Sequence, residues 1–156
     1  ISGVYEVLIN RTGGEMVTKN LGLLGPMIYT DDEVAFAKKI QESTGKPQVG
    51  LHTKVEPLEA TDPNAGGGST DVGDVSWVVP TAGLSTATWV PGIPAHSWQA
   101  VACDGMSIGF KGMMVAAKTI ALTAADILLK PQVILEFQQL DSMLINNTCD
   151  ARFWCN

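Results

Sequence analysis

The sequence predicts an α/β fold. Three segments carry apolar residues at helical spacing, and residues 84–90 alternate in the manner of a strand. The longest helical segment is rich in small residues, which suits close packing on a sheet. The chain has 156 residues, 46% apolar and 17% charged. That is enough for a single domain over 1–156 with a modest core, and too apolar for a disordered segment.

Residues 12–24 form the first expected helix. Met16, Val17, Asn20, Leu21 and Leu24 share a face, and Gly25-Pro26 stops the run. The second covers 30–43. Thr30 followed by Glu33 matches a capping box, in which the Thr oxygen accepts from the N3 amide and the Glu carboxylate accepts from the N-cap amide. Val34, Phe36, Ala37 and Ile40 give its apolar face, and Gly45-Lys46-Pro47 ends it. Residues 46–70 lack periodicity and hold Pro47, Pro57, Pro63 and the run Gly66-Gly67-Gly68-Ser69-Thr70. A loop of this length within a domain is usually functional or mobile.

Residues 71–77 fit a short helical turn led by Asp71. The strand candidate 84–90 follows, and Pro91-Gly92-Ile93-Pro94 breaks the chain just before His96. Residues 97–104 read as a helix. Over 111–129, Met113, Ala117, Ile120, Ala121, Ala124 and Leu128 recur at steps of three and four. Lys118 and Asp126 interrupt that run and it is short for a bilayer, so a buried helix is expected. Residues 131–140 fit one more helix. The tail 141–156 shows no interpretable pattern.

Ten Lys and Arg against 16 Asp and Glu give a net charge of -6. Nucleic acids and anionic membranes need a concentrated positive surface, so neither is an expected partner. His52 and His96 are the two histidines. They leave little within this chain for a Ser-His-Asp triad or a multi-His metal site. Cys103, Cys149 and Cys155 are odd in number and contain no C-x-x-C pair. A Cys149–Cys155 bridge is sterically allowed; the plain reading is three reduced thiols and a cytoplasmic location. No secretory signal is visible. Ile1 in place of Met implies that the numbering begins inside a longer reading frame or after processing.

Gly105-Met106-Ser107-Ile108-Gly109 matches the G-x-S-x-G nucleophile elbow. The elbow needs a strand before it and a His after it, and both histidines lie upstream, which disfavours an esterase. The 66–70 run lacks the Lys of a phosphate-binding loop, so it reads as a flexible or substrate-facing loop. His96 stands after a tight turn at the end of the strand candidate, where α/β folds bind ligands. Its imidazole suits a divalent metal, and Asp71 and Asp74 suit either direct ligation or support of a ligand. Taken alone, a His so placed is more commonly a hydrogen-bonded structural residue. Trp77, Trp89, Trp98 and Trp154 read as core or interface residues, with Trp98 able to wall a pocket beside His96.

Three segments in register carry a resemblance. They are Gly68-Ser-Thr-Asp71-Val-Gly73-Asp74-Val-Ser-Trp77-Val-Val-Pro80-Thr81, Pro91-Gly-Ile-Pro-Ala-His96-Ser-Trp98-Gln99, and Ser107-Ile-Gly-Phe-Lys111-Gly112-Met-Met-Val-Ala-Ala117-Lys118-Thr119. Together they resemble the C-terminal part of the aminobenzoyl-glutamate hydrolase group, within the aminoacylase/carboxypeptidase family of dinuclear-metal amidohydrolases. The acid-capped helix at 30–42 resembles the same group, so the likeness covers about residues 1–130.

The resemblance implies part of a three-layer α/β/α, zinc-peptidase-like catalytic domain, with the family's inserted lid domain absent. The family builds that domain from two stretches, and this chain resembles the second. A divalent metal, Zn or Mn, is implied, held by His and acidic ligands, with a Glu general base; nearly all of these belong to the first stretch. His96 matches the last metal ligand. Asp71 and Asp74 match an acidic motif lining the site, and Ser69, Thr70 and Trp98 would line it too. The implied substrate is a small-molecule amide of an N-acyl or aminobenzoyl amino acid, cleaved by water whose pKa the metal lowers. No catalytic residue is expected in this stretch, so the chain alone is expected to be inactive. The missing N-terminal half or a companion chain would complete it. The alternative is a non-catalytic α/β module that binds a partner chain or small ligand, its open face covered by a partner or by homo-oligomerisation. Phe110 stands where the family pattern has His in Ile-Gly-His-Lys-Gly, and the tail beyond about residue 130 departs from the family's ending.

Overall fold

The computed structural model describes residues 5–58 and 70–139. The elements in order are α1 (Arg11–Leu24), α2 (Asp31–Ser43), α3 (Val72–Ser76), α4 (Trp98–Asp104) and α5 (Ser107–Leu129). Residues 132–139 are helical as well. There is no strand among the described residues. The expected α/β fold, and with it the three-layer α/β/α arrangement, is therefore overturned: the described chain is helical.

The reason lies in what alternation reports. Residues 84–90 do avoid the helix, and Val90 is completely buried. A strand, however, also needs a neighbouring backbone to complete its ladder. No second strand among the described residues supplies one. The 84–90 segment instead lies against α5, where a side-chain carbon added to Gly112 would collide with the Ala87 carbonyl oxygen. The alternation recorded partial burial and carried no information about pairing.

The contact pattern divides the chain into two compact units. The first takes in residues 1–19, 57–84 and 122–156, and the second residues 20–56 and 85–121. In the first unit the N-terminal segment is bound to α3. The Tyr5 amide donates to Asp74 Oδ1 at 2.9 Å, the Leu8 amide to Ser76 Oγ at 2.8 Å, and Trp77 Nε1 to the Glu6 carbonyl at 2.9 Å. The Tyr5 and Trp77 rings pack with centroids 5.5 Å apart. Gly73 makes the approach possible, because any Cβ there would overlap the Tyr5 carbonyl oxygen. Asn10 begins α1, its Oδ1 accepting from the Gly13 amide at 2.8 Å, and its Nδ2 donates to the Phe137 carbonyl.

In the second unit α2 forms as its sequence dictates. The capping box at Thr30 and Glu33 is present in both directions, and Asp31, Asp32 and Glu33 place negative charge on the first turn. Ala37 and Ile40 of α2 pack with Val90, Ile93, Ala100 and Cys103 into the core. Gln41 is fully buried and satisfied. Its amide exchanges hydrogen bonds with the Gly50 backbone and donates to the Pro91 carbonyl at 3.1 Å. Cys103 is a free thiol with no exposed surface.

α5 departs from its expectation. It begins ahead of the 111–129 periodicity and reaches 23 residues, with a mean hydropathy of 1.6 over its most apolar window. By length and composition alone it is long enough to cross a membrane. Only 11% of that window is buried, where a buried helix was expected. Ile108, Gly109, Gly112 and Thr119 face inward, while Phe110, Met113, Ile120 and Leu128 lie exposed. The described chain offers α5 packing partners along one narrow face only.

Candidate functional site

His96 sits on a loop that is held at both ends. Ile93 is buried in the core of the second unit, and the Pro91 carbonyl is bound by Gln41. On the other side Ser97 caps α4, its Oγ accepting from the Ala100 amide at 3.2 Å and donating to the Pro94 carbonyl at 2.7 Å. Between these anchors His96 takes φ 57°, the left-handed region, and among the described residues no other non-glycine residue does so. The presence of a Cβ makes that conformation cost about 1–2 kcal/mol. Such strain persists where the surroundings impose it, and it concentrates at functional positions. The imidazole is exposed, and Trp98, two residues on, is 63% exposed.

The acidic motif belongs to the first unit, and its residues divide into different tasks. Asp74 is committed to the Tyr5 amide. Asp71 occupies the N-cap position of α3 but makes no side-chain cap; the Thr70 hydroxyl accepts from the Val72 amide instead, at 3.3 Å. Asp71 and Thr70 are both exposed. Ser69, the 66–68 glycines, Cys149, Cys155, Trp154 and the tail 141–156 lie outside the described residues. His52 is an exposed loop residue paired with Glu56 at 2.7 Å.

Sequence reasoning missed a polar cluster in the second unit. Lys111 Nζ lies 2.6 Å from Glu33 Oε2 and donates to the Ile28 carbonyl at 3.0 Å. Ser107 Oγ donates to Glu33 Oε1 at 2.5 Å, and the Thr30 amide donates to Glu33 Oε2 at 2.7 Å. The hydrogen bonds from Lys111 and Ser107 hold the Glu33 carboxyl well below its ordinary value, at about 2, against the opposing effect of burial. The Lys111 ammonium also lies 5.3 Å from the centre of the Tyr29 ring, whose phenol is pushed up by burial and then by the Glu33 charge. The signal was present in the sequence: Ser107 and Lys111 stand one turn apart at the start of a largely apolar helix. The cluster also answers the G-x-S-x-G motif. Ser107 opens a helix, not a strand–helix elbow, and the carboxylate that accepts its hydrogen bond is too weak a base to activate it.

The chain is 34% identical over 157 aligned residues to a p-aminobenzoyl-glutamate hydrolase subunit of Escherichia coli (strain K12), a match that covers 85% of this chain. This chain belongs to the aminobenzoyl-glutamate hydrolase group. It spans about a third of that relative's length, the matched part being 32% of it. No family model matches the chain, and no solved structure matches it.

Among the described residues, the hydrolase-group chain has no cluster of three His, Cys, Asp or Glu side chains able to hold a metal ion. A catalytic zinc takes about three protein ligands. His96 alone offers one imidazole, so the described residues do not by themselves fit a metal centre, and no catalytic step follows from them.

Proposed function

We propose that this chain is one part of a metal-dependent amidohydrolase that cleaves the amide bond of an N-acyl or aminobenzoyl amino acid. The similarity to the Escherichia coli p-aminobenzoyl-glutamate hydrolase subunit carries this reading. His96 contributes one metal ligand, and the remaining ligands and the general base come from polypeptide outside the described residues. A Zn or Mn ion, when bound, supplies the Lewis acidity that activates water. The residues of this chain hold the His96 loop rigid from both sides, through Ile93, Gln41 and the Ser97 cap. On the same likeness Asp71, Asp74, Thr70, Ser69 and Trp98 belong to the lining of the complete enzyme's site; the cysteine usage suits the cytoplasm. Alone, the chain is inactive, and a companion polypeptide completes it.

The exposed α5 supports a second reading, a non-catalytic module that binds a partner chain. The two readings separate on one substitution. In the assembled hydrolase, His96→Ala removes both bound metal and hydrolysis of p-aminobenzoyl-glutamate if His96 is a ligand. Full metal content and full activity in that variant would leave only the module reading.

A further inference from the structure

The second unit carries a groove that the hydrolase reading leaves unused. It is an open, shallow groove of about 470 Å³ between the Pro26-Met27-Ile28 segment and the flank of α5. Phe110, Met114 and Lys118 line its helical wall. They follow one another at four-residue steps, so they form a single row along α5. The row extends about 12 Å, from the aromatic ring to the ammonium group.

The charges in this groove are unequal in availability. Lys111 reaches it, but its ammonium is occupied by Glu33 and the Ile28 carbonyl. Lys118 has no acidic partner among the described residues and is exposed. Phe110 is 55% exposed and Ile28 84%, so the apolar wall faces open space. Met27 and Met114 are flexible, polarisable side chains that adapt to irregular apolar ligands.

We propose that this groove binds an apolar monocarboxylate, with its hydrocarbon body along Phe110 and Met114 and its carboxylate on Lys118. Charge complementarity selects the anion: a neutral or cationic molecule of the same shape leaves Lys118 unpaired or repelled. The site is independent of whether His96 ligates a metal.

Octanoate is the test ligand and 1-octanol its neutral counterpart, titrated into the intact chain by calorimetry and by NMR of the methionine methyl groups. Octanoate binds saturably at one site and shifts the Met27 and Met114 signals. Octanol binds at least tenfold more weakly, and Lys118→Met weakens octanoate by about tenfold, the value of one charge-assisted hydrogen bond. Phe110→Asp abolishes binding while leaving the helical circular dichroism unchanged, since Phe110 is exposed. Equal affinity for octanol, or an unchanged affinity in Lys118→Met, overturns the proposal. So does an absence of octanoate binding, whether the chain is monomeric or shows a doubled mass in light scattering; the doubled mass would mean that a second copy covers the groove.

Discussion

Glu33 on α2 and Lys111 on α5 form an ion pair of 2.6 Å in which the carboxylate is only 10% exposed and the ammonium 36%. The same carboxylate caps α2 through the Thr30 amide and accepts a hydrogen bond from the Ser107 hydroxyl. One side chain thus closes a helix N-terminus and fastens a second helix to it.

That arrangement sets an acid limit on the second unit. The Glu33 carboxyl has an ordinary value of 4.5 and is held at about 2 in the folded chain. A lowered folded value means that its contribution is complete above about 4.5 and disappears as the pH falls through about 2. Glu33→Gln flattens this limb of the stability curve, measured by urea unfolding at a series of acid pH values. Lys111→Met costs about 1–2 kcal/mol at neutral pH, a figure kept small by the partial exposure of the ammonium.

The backbone at His96 gives a second expectation. At φ 57° glycine is unstrained, whereas alanine retains the cost of a Cβ. His96→Gly is therefore more stable than His96→Ala by about 1 kcal/mol in chemical denaturation. Equal stabilities would show that the left-handed conformation is not imposed on this position.

Much of the helical framework is legible in the sequence. The capping box at Thr30 and Glu33, the Gly25-Pro26 stop and the short turn led by Asp71 are all local signals, settled within a few residues of chain. The expected strand at 84–90 does not form, because sheet pairing depends on a distant partner that no local pattern reveals. α5 is expected to be buried on its apolar composition, yet composition does not say whether the chain supplies a surface to cover it. Glu33 is recognisable as a cap but not as the partner of Lys111, because the two lie far apart in sequence. The motif around Asp71 and Asp74 reads as chemistry; in the described residues Asp74, Ser76 and Trp77 hold the N-terminal segment in place.

Gly73 tests that structural role. Gly73→Ala drives a methyl group into the Tyr5 carbonyl oxygen, and the backbone there has little freedom to retreat. A loss of about 2–3 kcal/mol is expected from such overpacking. Hydrogen exchange at the Tyr5 and Leu8 amides should rise in the variant, because both bond to the α3 motif.

Cys103 should be inert. Burial pushes its thiol up, the neighbouring Asp104 charge adds to this, and the sulfur has no exposed surface. Peptide mapping after iodoacetamide treatment is expected to find Cys103 unmodified in the native chain and alkylated in guanidinium. Rapid native alkylation would contradict its place in the core.

The most direct test of the central claim, that this chain carries one ligand of a site completed elsewhere, is its metal content. The purified chain is incubated with zinc, desalted and measured by inductively coupled plasma mass spectrometry. The expected result is no stoichiometric zinc, because one imidazole does not retain a divalent ion through desalting. Stoichiometric zinc retained by the chain alone would contradict the claim and would mean that it assembles a complete site by itself.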